Sequence, residues 1–307
     1  MAGTEDTDFP VDDSWRIPVE PGQAVDRGWT AATGHRPLGV TWHWTATRTL
    51  ERCHQLLGGA RAERRGQASA HFAVGRHADE GVARYVSLDD RSWHAGRAQT
   101  LRFDGQPYRG PDDKGARTAV GVETVHIGYA RDGVEPGTDW LNADTVDGET
   151  RLRIAPWPDP QIDLMIGVGR EIQSRWPHLG PRHHHGHHDL CPGYKVDVLG
   201  FPFARVLRGI YRDPEIPDVW SDTWTAAGRR RALRRLGFAT GGGLELNFWT
   251  RADDLTLRRA QRQLGLEPNG LWTTAVAWAV DDAIQGRTTP ESPFEATRRR
   301  GDMESPA

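Results

Sequence analysis

The clearest alternation of apolar and polar positions runs from residue 38 to residue 45. Side chains two residues apart share one face of a strand, so this pattern predicts a strand with a single apolar face. His43 falls on the polar side, although one polar histidine on a strand predicts no function by itself. The apolar side carries Leu38, Val40, Trp42 and Trp44.

Shorter apolar runs predict further strands and helices in alternation. Strands and helices that interleave predict an α/β domain, with a mixed central β-sheet flanked by helices. Residues 129–158 are rich in Asp, Gly and Pro and are interpreted as an insertion or long loop. The predicted strands are near 70–74, 84–88 and 119–125, and the predicted helices are 47–57, 158–176 and 201–211.

A change in composition divides the chain near residue 213. The stretch from there is rich in Pro and Asp, which indicates a linker, and three helical patterns follow it, the first two of them rich in arginine. Trp15 and Trp29 are expected to pin the irregular N-terminal segment to the first domain. The predicted organisation is an N-terminal lead-in (1–35), the α/β domain (36–212), a linker (213–221), a small all-α three-helix domain (222–287) and a disordered polar tail (288–307).

Composition excludes several classes of protein. A net charge of −3 gives no general attraction to nucleic acid. No run is apolar enough for a transmembrane helix, and the acidic residues 1–13 lack the apolar segment of a Sec signal. Synthesis in the cytoplasm is therefore expected. The two cysteines, Cys53 and Cys191, predict no disulfide framework, and Cys53 is interpreted as a small buried apolar residue.

Residues 186–197 concentrate the candidate chemistry. They contain imidazoles, a thiol, two carboxylates and an ammonium group around a Pro-Gly turn, which can bring His187 and Asp197 to one place. Imidazole and carboxylate ligands suit zinc, and two or three of them with an open position make a hydrolytic site. The alternatives are a solvated histidine-rich loop or a non-specific metal-storing tract over 183–188.

A second candidate is Glu123, which lies in the otherwise apolar strand predicted over 119–125. A carboxylate is unfavourable to bury without a partner or a function. The alternative is a structural glutamate that is salt-bridged or exposed at a sheet edge.

Five blocks of sequence, in this order and spacing, resemble the type-2 N-acetylmuramoyl-L-alanine amidases, which share a fold with animal peptidoglycan recognition proteins. The resemblance covers roughly residues 36 to 210. Residues 222–287 resemble a three-helix peptidoglycan-binding domain, through the blocks 233–238, 258–266 and 269–274 and through Trp249 and Thr250. The amidase blocks are 41–46 (Thr-Trp-His-Trp-Thr-Ala), 69–74 (Ser-Ala-His-Phe-Ala-Val), 92–96 (Ser-Trp-His-Ala-Gly), 121–123 (Gly-Val-Glu) and 187–197.

The resemblance implies a zinc enzyme that hydrolyses the amide between N-acetylmuramic acid and L-alanine in peptidoglycan. It assigns zinc to His43, His187 and Asp197. Glu123 would exchange protons with water and the leaving amine, and Lys195 would stabilise the oxyanion. Substrate-binding positions fall on Trp93, His94 and His71.

An alternative register of the last block uses His183 and Cys191, because some relatives have a Cys-Pro ligand eight residues after the histidine. His187 and Asp197 are preferred, since both halves of the motif then align without gaps. The sequence departs from the family at Ala70, where some relatives have tyrosine, and at Val198 and Leu199, where Pro-Gly is common.

Two other functions compete with lysis of polymeric wall. One is a non-catalytic peptidoglycan recognition protein. Against it, every ligand position is filled, and so is the position of the catalytic glutamate, Glu123. The other is a recycling amidase that acts on soluble anhydro-muropeptides, against which the wall-binding domain argues. A monomer that reaches the wall as a phage lysin or an exported effector is expected.

Overall fold

The computed structural model of the protein describes residues 11–12, 29–30, 36–57, 68–96, 101 and 119–287. The tail predicted to be disordered (288–307) and most of the predicted lead-in lie outside the described residues. Trp29, which the sequence predicts to pin the lead-in, is fully buried.

A six-stranded mixed sheet forms the centre of the α/β domain, in the order β1-β5-β4-β7-β3-β10. Neighbouring strands are parallel except for β4 and β5. Two antiparallel ribbons, β2-β6 and β8-β9, lie outside it. The strands are β1 (Val11–Asp12), β2 (Trp29–Thr30), β3 (Gly39–Trp44), β4 (Phe72–Val74), β5 (Val82–Arg84), β6 (Arg91–Ser92), β7 (Ala119–Thr124), β8 (Leu141–Asp144), β9 (Arg151–Ile154) and β10 (His184–Gly186).

Helices flank this sheet, and three more follow it along the chain. The mixed central sheet flanked by helices confirms the predicted fold class. In the described part of the chain the α-helices are α1 (Leu50–Leu57), α2 (Asp159–Arg175), α3 (His187–Leu190), α4 (Phe203–Tyr211), α5 (Ala226–Arg235), α6 (Arg251–Gln263) and α7 (Thr274–Ile284).

The two faces of β3 have different surroundings, as its alternation predicts. The apolar side chains Val40, Trp42 and Trp44 belong to the main hydrophobic cluster, together with residues of α2 and α4. A second cluster contains Cys53 of α1 and Ala73 of β4, so Cys53 is the buried apolar residue that the sequence predicts. The polar side of β3, which carries His43, is therefore not part of the main hydrophobic cluster.

The stretch interpreted as an insertion or long loop contains the hairpin β8-β9, which the sequence analysis missed. Apolar and polar residues alternate in both strands, but each strand has only four residues and lies in a stretch rich in Asp, Gly and Pro, so the signal for a strand is weak. Tertiary partners hold the hairpin instead. Arg151 makes a bidentate ion pair with Asp144, at 2.7 and 2.9 Å, and the Asp144 carboxylate also accepts a hydrogen bond from the Ala226 amide, at the start of α5.

Helices α5 to α7, which we call the helical unit (226–284), pack directly against the α/β domain. The unit has its own hydrophobic cluster, built around Leu233, Leu257 and Trp272. However, Trp278 of α7 and Trp220 of the predicted linker belong to the main cluster of the α/β domain. The predicted boundaries at 213–221 stay a prediction, but this stretch is packed in the structure.

No helix in the described part of the chain combines the length and apolar character that a bilayer crossing requires.

Candidate metal centre

Strand pairing brings His43 and Glu123 side by side. β3 and β7 are parallel neighbours, and His43 is in register with Glu123, which is in register with Ala73 of β4. Residues in register on adjacent strands point to the same face, about 5 Å apart. His43 and Glu123 therefore project together from the polar face of the sheet.

The second half of the centre comes from the segment that follows β10. β10 pairs with β3, and α3 begins at its end, so His187 emerges beside His43. Gly186 has no room for a side chain, because a Cβ there would lie 2.4 Å from the His188 ring. The chain then turns back, and the His188 amide donates a 2.6 Å hydrogen bond to the Asp197 carbonyl. This bond places the Asp197 side chain opposite His187.

His43, His187 and Asp197 form a compact buried group. The Nδ1 atoms of both histidines lie 3.1 Å from Asp197 Oδ2. One potential ligand atom from each residue lies within 4.8 Å of the others, and the described residues contain no second such group of His, Cys, Asp or Glu. The alternative pair, His183 and Cys191, forms no such group. The structure thus brings together the three preferred ligands.

His94 determines which nitrogen of His43 carries the proton. His94 Nε2 lies 3.2 Å from the Ala119 carbonyl, which can only accept, so this nitrogen is protonated. Burial, and then His43, hold the pKa of His94 well below its usual value, so the ring is neutral and its Nδ1 is an acceptor. His43 Nε2, at 2.9 Å, must therefore donate to His94 Nδ1.

This assignment leaves the lone pair of His43 Nδ1 facing the Asp197 carboxylate. Burial and the nearby His187 lower the pKa of His43 to about 4, so this ring is also neutral. Two acceptors that face each other at 3.1 Å, with no proton between them, call for a cation. Two imidazoles and a carboxylate suit zinc, with ligand bonds of about 2 Å. The residues present therefore fit a zinc ion.

His187 and Asp197 carry opposite charges in this arrangement. Burial lowers the pKa of His187, but the Asp197 carboxylate outweighs burial and raises the pKa to about 10. Burial likewise raises the pKa of Asp197, yet His187 and His43 hold it well below its usual value. A metal ligand must be deprotonated, so an ion bound here would displace the proton of His187.

Glu123 is the carboxylate of the centre that lacks a partner. Its Oε2 atom is buried and accepts no hydrogen bond from the described residues. Burial, and then the negative charge of Asp197, raises the pKa of Glu123 to about 8, although His187 and Lys195 oppose the shift. A carboxylate with a pKa near neutrality is suited to exchanging protons.

The other predicted site residues surround this centre in different ways. Lys195 is half-buried, affects the pKa of both His43 and Glu123, and lies 5.1 Å from the centre of the Tyr194 ring. Trp93 is half-buried, and its indole N–H donates to Thr30 Oγ1 at 2.9 Å. Both residues keep some exposed surface beside the buried ligands.

His71 is fully buried behind His94, and its ring is engaged by the protein. Ser92 Oγ and the Gly121 amide lie 2.8 and 3.0 Å from Nδ1, and the Asp90 carbonyl lies 3.0 Å from Nε2. Its predicted role in substrate binding stays a prediction, because both nitrogens already have protein partners. His71 holds β7 in place behind the centre.

Most of the histidine tract is structural. His184 accepts from the Trp42 indole at 3.1 Å and donates to the Tyr211 hydroxyl at 2.8 Å. His185 bonds to Thr41 at 2.7 Å. Within the tract, only His187 contributes to the metal-ligand group.

The role of His94 toward His43 was missed by sequence reasoning, which placed His94 in substrate binding. Its signal is Gly121, where a Cβ would lie 2.3 Å from Cγ of His94. Gly121 lies in the Gly-Val-Glu block and leaves space for that ring.

Comparison with known proteins identifies the family. The family model described as N-acetylmuramoyl-L-alanine amidase (Amidase_2) matches residues 33–195, more than half of the chain. This protein belongs to the N-acetylmuramoyl-L-alanine amidase family. The matched region of the amidase contains His43, Glu123, His187 and Lys195 and ends two residues before Asp197.

Among the solved structures that are similar to this one, AmiD is described as an N-acetylmuramyl-L-alanine amidase. For AmiD from E. coli, solved with anhydro-N-acetylmuramic acid-L-Ala-D-γ-Glu-L-Lys, the TM-score is 0.47 at 18% identity, over 83% of this chain and 92% of that one. For AmpDh3 from Pseudomonas aeruginosa the TM-score is 0.45 at 19% identity, over 87% and 98%. For the PlyG catalytic domain the TM-score is 0.39 at 15% identity, over 68% of this chain and 97% of that one.

No curated protein matches the amidase in sequence. The family match shows an enzyme that acts on peptidoglycan, and hence on the cell wall. The helical unit lies beyond the matched region.

Proposed function

We propose that this amidase is a zinc enzyme that hydrolyses the bond between N-acetylmuramic acid and L-alanine in polymeric peptidoglycan, and thereby lyses cell wall. The observation that carries this proposal is the buried Oε2 atom of Glu123, which has no hydrogen-bond partner, on a residue in register with a histidine of the candidate ligand group. A recognition protein that only binds would have no need for a buried, unsatisfied carboxylate at this position.

His43, His187 and Asp197 would hold the zinc ion. The bound ion would supply Lewis-acid chemistry, by lowering the pKa of water and stabilising negative charge. His94 would keep His43 in the tautomer that presents Nδ1 to the ion, and its own bond to the Ala119 carbonyl would hold the His94 ring in place.

Glu123 would take a proton from the attacking water and pass a proton to the leaving amine. Its burial supports this role, because a pKa raised to about 8 brings the carboxyl close to working pH. Positive charge at the metal position would lower this pKa again, since opposite charge favours the ionised form. Glu123 would then be ionised when substrate arrives.

Lys195 would stabilise the negative charge that develops on the carbonyl oxygen of the substrate. Its ammonium group is close enough to Glu123 and His43 to influence the pKa of both. The half-exposed Lys195 and Trp93 lie where a substrate can reach them, and His94 is 8% exposed. Contacts of Trp93, His94 and His71 with the substrate stay predictions.

The helical unit would bind the polymeric wall. This part of the proposal rests on its sequence resemblance to three-helix peptidoglycan-binding domains, and three helices around a separate hydrophobic cluster are consistent with it. An enzyme limited to soluble fragments would gain nothing from binding to the polymeric wall. Delivery as a phage lysin or an exported effector, and a monomeric state, stay predictions.

Mass analysis of the products tests the proposal directly. We expect digestion of purified sacculi to release stem peptides that begin with L-alanine and to leave intact glycan strands. Comparison of kcat/KM for sacculi and for soluble anhydro-muropeptides separates wall lysis from recycling, and we expect the polymer to be preferred. Strong preference for the soluble substrate would favour recycling, and the absence of cleavage by the zinc-loaded protein would favour recognition alone.

A further inference from the structure

The segment that carries His187 is short and has little stability of its own. α3 contains four residues, and β10 before it contains three. A single helical turn is unstable in isolation, because nucleation fixes several residues for one hydrogen bond. The position of His187 must therefore depend on contacts from other parts of the chain.

One such contact joins α3 to the helical unit. Asp189 accepts hydrogen bonds from the Thr274 amide at 2.7 Å and from the Thr274 hydroxyl at 2.8 Å. The same carboxylate accepts from the Gly186 amide at 2.9 Å, directly before His187. Asp189 thus connects the first residue of α7 with the residue that precedes the metal ligand.

The position of Asp189 relative to α7 strengthens this connection. Thr274 is the first residue of α7, and a carboxylate at the N-terminus of a helix is stabilised by free amide groups and by the helix dipole. Asp189 and Thr274 are only 5% and 6% exposed, so water competes little for these hydrogen bonds.

A second contact holds the segment at its other end. Arg182, two residues before β10, donates to Asp282 of α7 at 2.7 Å and lies over the Trp278 ring at 4.5 Å. Asp282 is fully buried. α7 therefore binds the chain on both sides of the histidine tract, through Arg182 before it and Asp189 after it.

We infer that α7 positions His187 for the metal, so that the helical unit is a structural part of the ligand site as well as a candidate wall-binding unit. The inference rests on the proposed function in one respect: it takes His187 as a zinc ligand. Thr274 is a positioning residue here, because it acts through Asp189 and contacts neither metal nor substrate.

The test compares two threonines at the starts of helices of the same unit, in the full-length protein: Thr274, the first residue of α7, and Thr225, the N-cap of α5. Thr274→Val removes the hydroxyl bond to Asp189. Thr225→Val removes a hydroxyl hydrogen bond at the start of another helix, since the Thr225 hydroxyl accepts from the Gly228 amide of α5 and has no bond to Asp189. Thr274→Ser keeps the hydroxyl and should behave as the unchanged protein.

Zinc affinity, measured by competition with a chromophoric chelator, should fall about three- to tenfold in Thr274→Val, the order of effect of one typical intramolecular hydrogen bond. It should be unchanged in Thr225→Val and Thr274→Ser. Hydrogen exchange of the His188 and Cys191 amides, which bond to Asp197 and His187, should accelerate only in Thr274→Val. Asp282→Asn should weaken zinc binding through the Arg182 side.

Equal zinc affinity and equal amide exchange in Thr274→Val and Thr225→Val would overturn the inference. Its failure is distinguishable from failure of the proposed function, because neither measurement needs substrate. If the protein bound no zinc, the proposed function would fail, while amide exchange would still report whether α7 holds α3. If Thr274→Val failed to fold, Asp282→Asn would serve as the test variant. Unchanged zinc affinity and unchanged exchange of the His188 amide in Asp282→Asn would then overturn the inference.

Discussion

Two centres of buried charge in this molecule are built in opposite ways. In the helical unit, Arg230 is fully buried and donates five hydrogen bonds, two to Asp253 and three to the carbonyls of Gly243, Leu246 and Phe248. In the α/β domain, Glu123 keeps an unpartnered oxygen, and His43 presents a lone pair to Asp197.

The contrast separates a structural charge from a functional one. A buried ion pair is tolerated when all of its hydrogen bonds are made, and the Arg230 centre meets this condition. The His43 centre leaves its lone pairs and one carboxylate oxygen unsatisfied, which destabilises the protein unless a ligand completes it. The unsatisfied lone pair and carboxylate oxygen of the His43 centre are therefore consistent with the proposed positions of metal and substrate.

The largest expected effect is at the ligand group. His187→Ala should lose both zinc and activity, because it removes one of three ligands and leaves Asp197 buried without its main partner. Cys191→Ser is the matched control and should keep its zinc. Zinc content by atomic absorption and turnover on sacculi measure both, and full zinc occupancy in His187→Ala would favour the His183 and Cys191 register instead.

Removal of the fully hydrogen-bonded charge of Arg230 should affect stability alone. Arg230→Met leaves Asp253 buried and unpaired, which should lower the free energy of unfolding by about 3–5 kcal/mol. Arg231→Met, at a neighbouring exposed position, should change it by less than about 0.5 kcal/mol. Urea unfolding measures both. Turnover per folded, zinc-loaded molecule should be retained in Arg230→Met. A selective loss of turnover in this variant would contradict the view that the Arg230 centre is structural and the His43 centre functional.

The bond from His43 to His94 should contribute to metal affinity. His94→Ala should weaken zinc binding by about 10- to 100-fold, as expected when the residue that orients a ligand is lost. Gly121→Ala should have a similar effect without removing any polar group, because its Cβ would displace the His94 ring. Unchanged affinity in both variants, measured by chelator competition, would show that the His43 tautomer does not depend on His94.

The smallest expected effect is on the proton balance of metal binding. A group that is protonated below its pKa must lose its proton to bind zinc, and the pKa of His187 is raised to about 10. Zinc binding at pH 7 should therefore release about one proton from His187, and the affinity should rise with pH by about tenfold per unit for that proton.

Calorimetry in buffers of different ionisation enthalpy counts the protons released. The pKa of Glu123 is raised to about 8, so this carboxyl should release a second proton on zinc binding, and Glu123→Gln should remove this contribution. An affinity that is independent of pH between about 6 and 8 would contradict the proton assigned to His187.

The sequence predicts the elements of the site better than their connections. The alternation around His43 and the carboxylate within an apolar strand are local features, so both residues could be identified before the structure. Strand register then places them side by side. The ligand assignment came from the resemblance of residues 187–197 to a known motif, whose turn brings His187 and Asp197 together.

Features that depend on distant parts of the chain could not be predicted. The hairpin β8-β9 has strands of only four residues and is held by Arg151 and by docking to α5. The contact between Asp189 and Thr274 joins residues 85 positions apart, and either residue alone predicts only a helix cap. Which ring nitrogen of His43 carries the proton depends on the Ala119 carbonyl, which lies on a different strand.

The most direct test of the account replaces Glu123 with Gln and measures turnover, zinc content and thermal midpoint on one preparation. The amide keeps the shape of the carboxyl group but cannot take a proton from water. We expect turnover to fall by at least on the order of 10²-fold. Zinc content and the midpoint should change little, because Gln keeps the shape of the side chain and no metal ligand is removed. Near-normal turnover in the zinc-loaded variant, or a lowered midpoint with turnover per folded molecule retained, would contradict it.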